Sequence, residues 1–167
     1  FGEVARSKSG GIGLVNGAMI NLSKKWEMSM LFRKYDRDFH TFYGFGFGEN
    51  TRNINETGIY LGLKYTHSRK LSLTAYFDQF NFPWLKYRVN APSTGHELLT
   101  RLNLNPNKKL AIYGQYRREA KAINSAKEAN IVAVVTGIKQ NYVFNVDFLA
   151  ARNVGFKSRI QFSDYKK

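Results

Sequence analysis

Apolar and polar residues alternate along much of the chain, most clearly between residues 56 and 82. In the first half of this stretch, the odd positions carry Ile59, Leu61 and Leu63, while the even positions are Gly, Tyr, Lys and Thr. A basic turn near residues 68–70 follows, and Leu71, Leu73, Ala75 and Phe77 then repeat the apolar spacing. Successive side chains of a strand point to opposite faces. The pattern therefore predicts a β-hairpin with one apolar and one polar face.

The same pattern recurs in three other parts of the chain. It predicts hairpins at about 12–35, 56–82, 96–119 and 137–162, each turning at a short, mostly basic segment. Longer connections separate them, and the first part of the connection 120–136 is expected to form a short helix. Residues 1–9 are polar and weakly patterned, and the pattern predicts no strand there. The prediction is thus a single β segment of about eight strands.

The resulting fold class is all-β, an antiparallel up-and-down barrel. Short turns at one end and long loops at the other are typical of a transmembrane β-barrel, whose strands need about nine to eleven residues. A soluble up-and-down barrel that binds a small apolar ligand shows the same alternation and is the alternative. Large charges recur on the polar face, and burying each in a dry core without a partner would cost several kcal/mol. A wet lumen accepts them, which favours the membrane barrel.

This interpretation assigns residues to three surfaces. The lipid-facing set is apolar and consists of Ile59, Leu61, Leu63, Leu71, Leu73, Phe77, Leu102, Ile112, Phe144, Val146 and Ile160. The lumen-facing set is charged and consists of Glu27, Arg33, Lys64, Asp78, Arg101, Arg117, Asp147 and Arg159. The set expected to contact headgroups lies in the turns and consists of Lys24, Lys25, Arg69, Lys70, Lys108 and Lys109. Aromatic residues near the strand ends would form the interfacial girdle, namely Trp26, Tyr65, Tyr116 and Tyr142.

The loop arrangement also predicts that the strands belong to a larger barrel. Short turns face the periplasm in such barrels. Four hairpins joined in this way begin and end on the outer side, whereas such chains usually keep both termini on the periplasmic side. We therefore expect the remaining strands of a parent barrel, or partner subunits, to complete the structure.

The composition of the chain indicates which kinds of partner to expect. The 167 residues include 26 Lys and Arg against 12 Asp and Glu, a formal charge of +14, and no Cys. The basic excess favours polyanionic partners, so we expect contact with membrane lipid and lipopolysaccharide. Nucleic acid is possible but unsupported, because no clustered basic and aromatic stripe is present. The basic residues assigned to the outer loops are Arg37, Arg52, Lys86, Arg88, Arg118, Lys121 and Lys127.

No catalytic or metal-binding pattern is found. His40, His67 and His96 are widely separated, without the spacing of a metal-binding motif. The glycines between residues 44 and 48 are not followed by the Lys-Ser/Thr of a phosphate-binding loop. We therefore expect no catalytic residue, no metal site, no cofactor and no enzyme activity.

Several segments resemble a known family. They are Phe47-Gly48-Glu49, the run from Asn55 to Gly62, Ala75-Tyr76-Phe77-Asp78, the run from Phe82 to Tyr87, and Ala91-Pro92-Ser93-Thr94-Gly95. Together they resemble the barrel part of large Bacteroidota envelope proteins whose N-terminal region carries helix-hairpin-helix motifs. The similarity is clearest over about 47–97. It implies a longer parent chain in the outer membrane, and no DNA-binding role carries over, because the helix-hairpin-helix part is not in this sequence.

The sequence thus predicts an integral component of the outer membrane of a Gram-negative bacterium. Its expected role is transport, secretion or structural support. The transported substrate, the oligomeric state and the total strand number are left open by the residues.

Overall fold

The computed structural model describes residues 1–42, 44–125, 133–151 and 153–166. Within these ranges the chain forms nine β-strands and no helix. The strands are β1 (Gly2–Arg6), β2 (Ile12–Asn21), β3 (Trp26–Tyr35), β4 (Glu56–Ser68), β5 (Leu71–Phe82), β6 (Ser93–Asn107), β7 (Leu110–Asn124), β8 (Val134–Ala151) and β9 (Val154–Lys166).

All nine strands belong to one sheet, in which every strand pairs with its neighbour in sequence. Each pair is antiparallel, and continuous ladders run from β2 to β9 with irregularities only close to the turns β4–β5, β6–β7 and β8–β9. The strands β1 and β9 form the two edges, so the sheet is open. Within the described residues no helix could cross a membrane.

The alternation predicts the strands well, with two corrections. The eight expected strands are present as β2 to β9, but the count of about eight is one too low. The missed strand is β1, which pairs along five residues of β2, from Gly2 opposite Asn16 to Arg6 opposite Ile12. Its only large apolar residue is Val4, and five residues are too few for a period of two to stand out. This strand is therefore defined by its backbone pairing with β2 and not by an alternation of apolar and polar side chains.

The second correction concerns the connection between β7 and β8. The expected short helix is absent from its described part, because β7 continues as a strand to Asn124 and pairs there with β8. The rest of the predicted helix, at 126–132, lies outside the described residues. The β ladder extends through Ala120, Ala122 and Ile123, which shows tertiary pairing overriding a helical preference.

Register divides the sheet into two faces. On one, which we call the apolar face, Met30, Leu61, Phe77 and Leu98 stand in a row across β3 to β6. On the other, the polar face, the neighbouring row is Leu31, Tyr60, Asp78, Glu97 and Glu119. The buried residues of the strands lie mostly on the polar face, where the long loops 36–55 and 83–92 contact it.

Candidate functional site

The predicted lipid-facing residues all lie on the apolar face. Most of them are exposed, for example Ile59 at 52%, Phe144 at 51% and Leu102 at 48%. Leu71, Ile112 and Val146 are partly exposed. No other part of the described chain covers this face, and a sheet in water normally buries its apolar side. The structure thus presents a wide apolar surface whose side chains are mostly exposed.

Basic residues gather at the turn end of the sheet, next to one of two aromatic pairs on the apolar face. The rings of Trp26 and Tyr65 are 4.5 Å apart near the turn end. The rings of Tyr116 and Tyr142 are 5.0 Å apart, but this pair lies in the middle of β7 and β8, so the expectation that Tyr116 and Tyr142 stand near strand ends is wrong. The predicted headgroup-contacting residues occupy the turns β2–β3, β4–β5 and β6–β7 and are all exposed. Lysine and arginine beside an aromatic pair such as Trp26 and Tyr65 form an arrangement that is also found where membrane proteins meet headgroups.

The polar face holds a buried ionic cluster centred on Arg33. The Arg33 side chain is 0% exposed; its Nε donates to Glu56 Oε1 at 2.6 Å. Its Nη1 and Nη2 donate to the two carboxylate oxygens of Asp78 at 2.7 and 3.1 Å. One arginine thus joins β3 to two acidic partners on β4 and β5. Such bidentate pairing is the strong form of an ion pair, and each partner depends on the others when water is excluded.

A second polar cluster lies further along the same face. Arg117 Nε and Nη2 donate to the two carboxylate oxygens of Glu97 at 2.8 and 2.6 Å. The hydroxyl of Tyr76 also donates to Glu97. The rings of Tyr76 and Tyr60 are 5.3 Å apart, which continues the contact towards β4. The polar face is therefore built from paired charges and tyrosines together with buried apolar residues such as Phe80, Phe82 and Val143.

The loop between β3 and β4 folds onto this polar face. The ring of Phe47 meets Tyr60 edge-on with centroids 5.3 Å apart, and the Arg33 guanidinium lies 5.2 Å from the Phe47 ring centroid. The Tyr35 hydroxyl donates to the carbonyl oxygen of Phe47 at 2.8 Å. The side-chain amide of Asn53 holds Gly46 through both backbone groups, at 2.8 and 2.9 Å. This segment of the loop is therefore fixed against the sheet at several points.

Glu56 and Lys121 attach the next residues of the loop. The Glu56 carboxylate accepts hydrogen bonds from the backbone amides of Glu49, at 2.8 and 3.1 Å, and of Asn50, at 3.2 Å. The Glu49 carboxylate forms an ion pair with Lys121 on β7, which also pairs with Glu119 at 2.6 Å. Burial raises the pKa of Glu49 above its ordinary value, while Lys121 acts in the opposite direction. The loop thus connects β3 and β4 with β7, three strands away.

The loop between β5 and β6 adds a second cover. The Asn55 amide donates to the carbonyl oxygens of Trp84 and Leu85 at 3.0 and 3.2 Å, and the Trp84 amide donates back to Asn55 Oδ1 at 3.0 Å. The Lys86 ammonium lies 3.8 Å from the ring centroid of Phe82, a residue that is fully buried. Burial lowers the pKa of Lys86. Both long loops therefore cover the polar face at the same end of the sheet.

The turn end of the polar face is more open. Lys64 and Glu27 form an ion pair at 2.9 Å, with side chains 46% and 51% exposed. Arg101 lies 3.8 Å from the ring centroid of Tyr113, and Asp147 and Arg159 also lie on this face. All residues of the predicted lumen-facing set therefore share one face, and among the described contacts two pairs of the set meet directly, Arg33 with Asp78 and Lys64 with Glu27.

Several residues of the polar face were missed or misplaced by the sequence interpretation. Glu56 continues the even-numbered spacing of β4, which could have assigned it to this face. Glu49 and Phe47 carry no such signal, because they belong to a loop. Lys121 and Arg118 were expected in outer loops, but both lie on β7. Lys121 is on the polar face, whereas Arg118 stands opposite Leu98 on the apolar face and donates to His96 Nε2 at 3.0 Å. Of the remaining loop residues, Lys127 lies outside the described part of the chain.

Comparison with known proteins gives no relative to this chain. No family model, curated protein or solved structure matches it. In the part of the chain that the structure describes, no group of three or more His, Asp or Glu side chains is placed to hold a metal ion. A functional interpretation therefore depends on the two faces of the sheet and on their charged residues.

Proposed function

We propose that this chain forms part of the wall of an antiparallel outer-membrane β-barrel. In this proposal the apolar face contacts lipid, the polar face lines the lumen, and the basic turns contact headgroups. The role is transport, secretion or structural support rather than catalysis. The partners are membrane lipid, lipopolysaccharide and the strands that close the barrel. The resemblance to the barrel part of Bacteroidota envelope proteins is in line with this proposal.

The observation that carries the proposal is the inverted polarity of the sheet. Arg33 and Glu56 are 0% exposed, whereas Ile59, three residues along from Glu56, is 52% exposed. A soluble barrel would bury the apolar face around its ligand and turn its charges towards water. A membrane barrel requires the reverse, with an apolar band facing lipid and a polar interior. The lengths support it too, because β2 to β9 each have at least 10 residues.

The open edges indicate what kind of partner completes the wall. Every neighbouring pair is antiparallel, so β1 and β9, which are eight steps apart, run in the same direction. Direct pairing of β9 with β1, in this chain or in a second copy with the same membrane orientation, would give a parallel ladder. A lipid-exposed sheet edge leaves unsatisfied backbone groups. We therefore propose that an odd number of further strands, of different sequence, closes the barrel by antiparallel pairing.

The test is fractionation of the full-length polypeptide, followed by gel migration in detergent with and without heating. Recovery in the outer membrane with a heat-dependent shift in migration is the expected result. A detergent-independent soluble protein whose migration is unchanged by heating would overturn the proposal, and a small apolar ligand would then be sought within a soluble barrel.

A further inference from the structure

The loop segment 46–50 lies across the polar face instead of extending away from the end of the sheet. Its contacts begin at β3 and β4, where Phe47 packs on Arg33 and Tyr60. They end on β7, where Glu49 pairs with Lys121. Antiparallel strands are separated by about 4.8 Å, so a span of three strands corresponds to roughly 14 Å of wall. A segment of this kind occupies space that would otherwise belong to the lumen.

The two anchors of the segment differ in strength. At β3 and β4 the anchoring is dense. The Tyr35 hydroxyl donates to the Phe47 carbonyl oxygen, the Glu56 carboxylate accepts from the Glu49 amide, Asn53 of the same loop accepts from the Gly46 amide, and the buried Arg33 cluster lies beneath. At β7 the described contact of the segment is a single ion pair, between Glu49 and Lys121. Lys121 also pairs with Glu119, so it separates two carboxylates that would repel each other. The β7 end is therefore the place where the segment can be released without unfolding the wall.

We propose that the segment 46–50 is a constriction element that limits the size of solute passing along the polar face, and that the Glu49–Lys121 ion pair holds it in place. This inference rests on the proposed membrane-barrel function. The polar face is lined with paired charges and tyrosine hydroxyls. The solutes that suit such a lining are small and hydrophilic.

The matched comparison uses two lysines of the polar face. Lys121→Met removes the partner of Glu49, whereas Lys64→Met removes the partner of Glu27 at the turn end, away from the loop. Both variants of the full-length polypeptide lose one positive charge from the same face; Lys64→Met loses one ion pair, and Lys121→Met loses two, with Glu49 and Glu119. Permeation of uncharged sugars of increasing size into proteoliposomes is measured, because neutral probes report size without responding to the altered charge.

The expected result is a several-fold faster uptake of the larger sugars with Lys121→Met and parental uptake with Lys64→Met. Glu49→Lys should have the same effect as Lys121→Met, because it places two cations together. The exchanged pair Glu49→Lys with Lys121→Glu should restore the parental size limit. If the parent passes no sugar, uptake by Lys121→Met alone supports the same inference.

Two outcomes separate failure of the inference from failure of the function. If the parent and Lys121→Met both insert into membranes, shift in migration on heating and pass the same sizes of sugar, the constriction is overturned while the barrel stands. If Lys121→Met and Lys64→Met increase sugar uptake equally, the constriction is also overturned, because the increase would then result from the loss of charge and not from movement of the loop. If the parent does not insert at all, the proposed function itself fails.

Discussion

The guanidinium of Arg33 lies over Gly58, the residue directly opposite it on the neighbouring strand. A Cβ at position 58 would stand 2.5 Å from Arg33 Cζ and 2.7 Å from Nη2. The absence of a side chain at residue 58 is therefore what allows Arg33 to reach across β4 to Asp78 on β5. The ionic cluster on the polar face depends on a glycine as much as on its charged members.

Gly58→Ala is predicted to destabilise the folded protein. The added methyl group must displace the guanidinium, and overpacking of this kind costs about 1–3 kcal/mol, with more expected here because two ion pairs are strained. Gly114→Ala is the control, because a Cβ there meets no atom within 4 Å. The midpoint of unfolding in detergent, followed by heat-dependent gel migration, measures both. Equal midpoints for the two variants would contradict the packing role of Gly58.

Arg33→Met is predicted to be far more damaging than Lys64→Met. Removing Arg33 leaves Glu56 and Asp78 buried without their cation, and breaking a buried pair costs about 3–5 kcal/mol. The Lys64–Glu27 pair is about half exposed, and pairs of that kind contribute only about 0–1 kcal/mol. The same unfolding assay compares the two methionine variants. A similar loss of stability in both would mean that Arg33 is hydrated in the native protein.

Leu98 and Leu99 offer a direct test of which face meets lipid. Leu98 pairs with Phe77 on the apolar face, whereas Leu99 pairs with Tyr76 on the polar face. A lysine that faces lipid costs up to about 2–4 kcal/mol at the midplane and less towards the interfaces, and a lumen-facing one costs much less. Leu98 stands opposite Arg118, so the cost at this position is expected to be below the midplane value. Leu98→Lys should therefore reduce insertion into membranes, and Leu99→Lys should insert nearly as well as the parent. In the soluble-barrel alternative the apolar face is interior, so Leu98→Lys would disrupt folding and ligand binding in a protein that does not insert into membranes at all. Normal insertion of Leu98→Lys together with failed insertion of Leu99→Lys would contradict the assignment of the apolar face to lipid.

The strands and their faces could be predicted because both follow from local spacing. A period of two identifies Leu61 and Lys64 as members of opposite faces without knowledge of their neighbours. The short edge strand β1 could not be predicted in this way, since its five residues are defined by pairing with β2. The eight other strands and their antiparallel order agree with the expectation.

The position of the long loop could not be predicted, because its contacts are distant in sequence. Phe47 and Glu49 lie among glycines and aromatic residues that would suit a loop extending into water equally well. Their partners Tyr60 and Lys121 are on strands, and Lys121 was itself expected in a loop. Lys121 belongs to a strand because β7 is 15 residues long. This length is evident only from the pairing of β7 with β8.

Acidification is predicted to hold the loop more firmly. Burial raises the pKa of Glu49, so the bound loop takes up a proton more readily than a released loop whose carboxylate meets water. Proton uptake by Glu49 therefore stabilises the bound loop. This stabilisation is fully present below the ordinary glutamate pKa and is lost as the pH rises through the raised pKa of Glu49. The charged groups around Glu49 are Lys121, Glu119, Glu97 and Lys86, and at neutral pH Lys121 offsets the cost of the ionised carboxylate.

Lys121→Met should therefore release the loop at neutral pH, and mild acid should reverse the release by neutralising Glu49. The measurement is uptake of a large neutral sugar by proteoliposomes as the pH is lowered from neutral towards the ordinary glutamate range. Adding Glu49→Gln to Lys121→Met should remove this pH dependence, because the titrating group is gone. If the double variant keeps the same pH profile, another group titrates, and the assignment of the acid response to Glu49 is wrong.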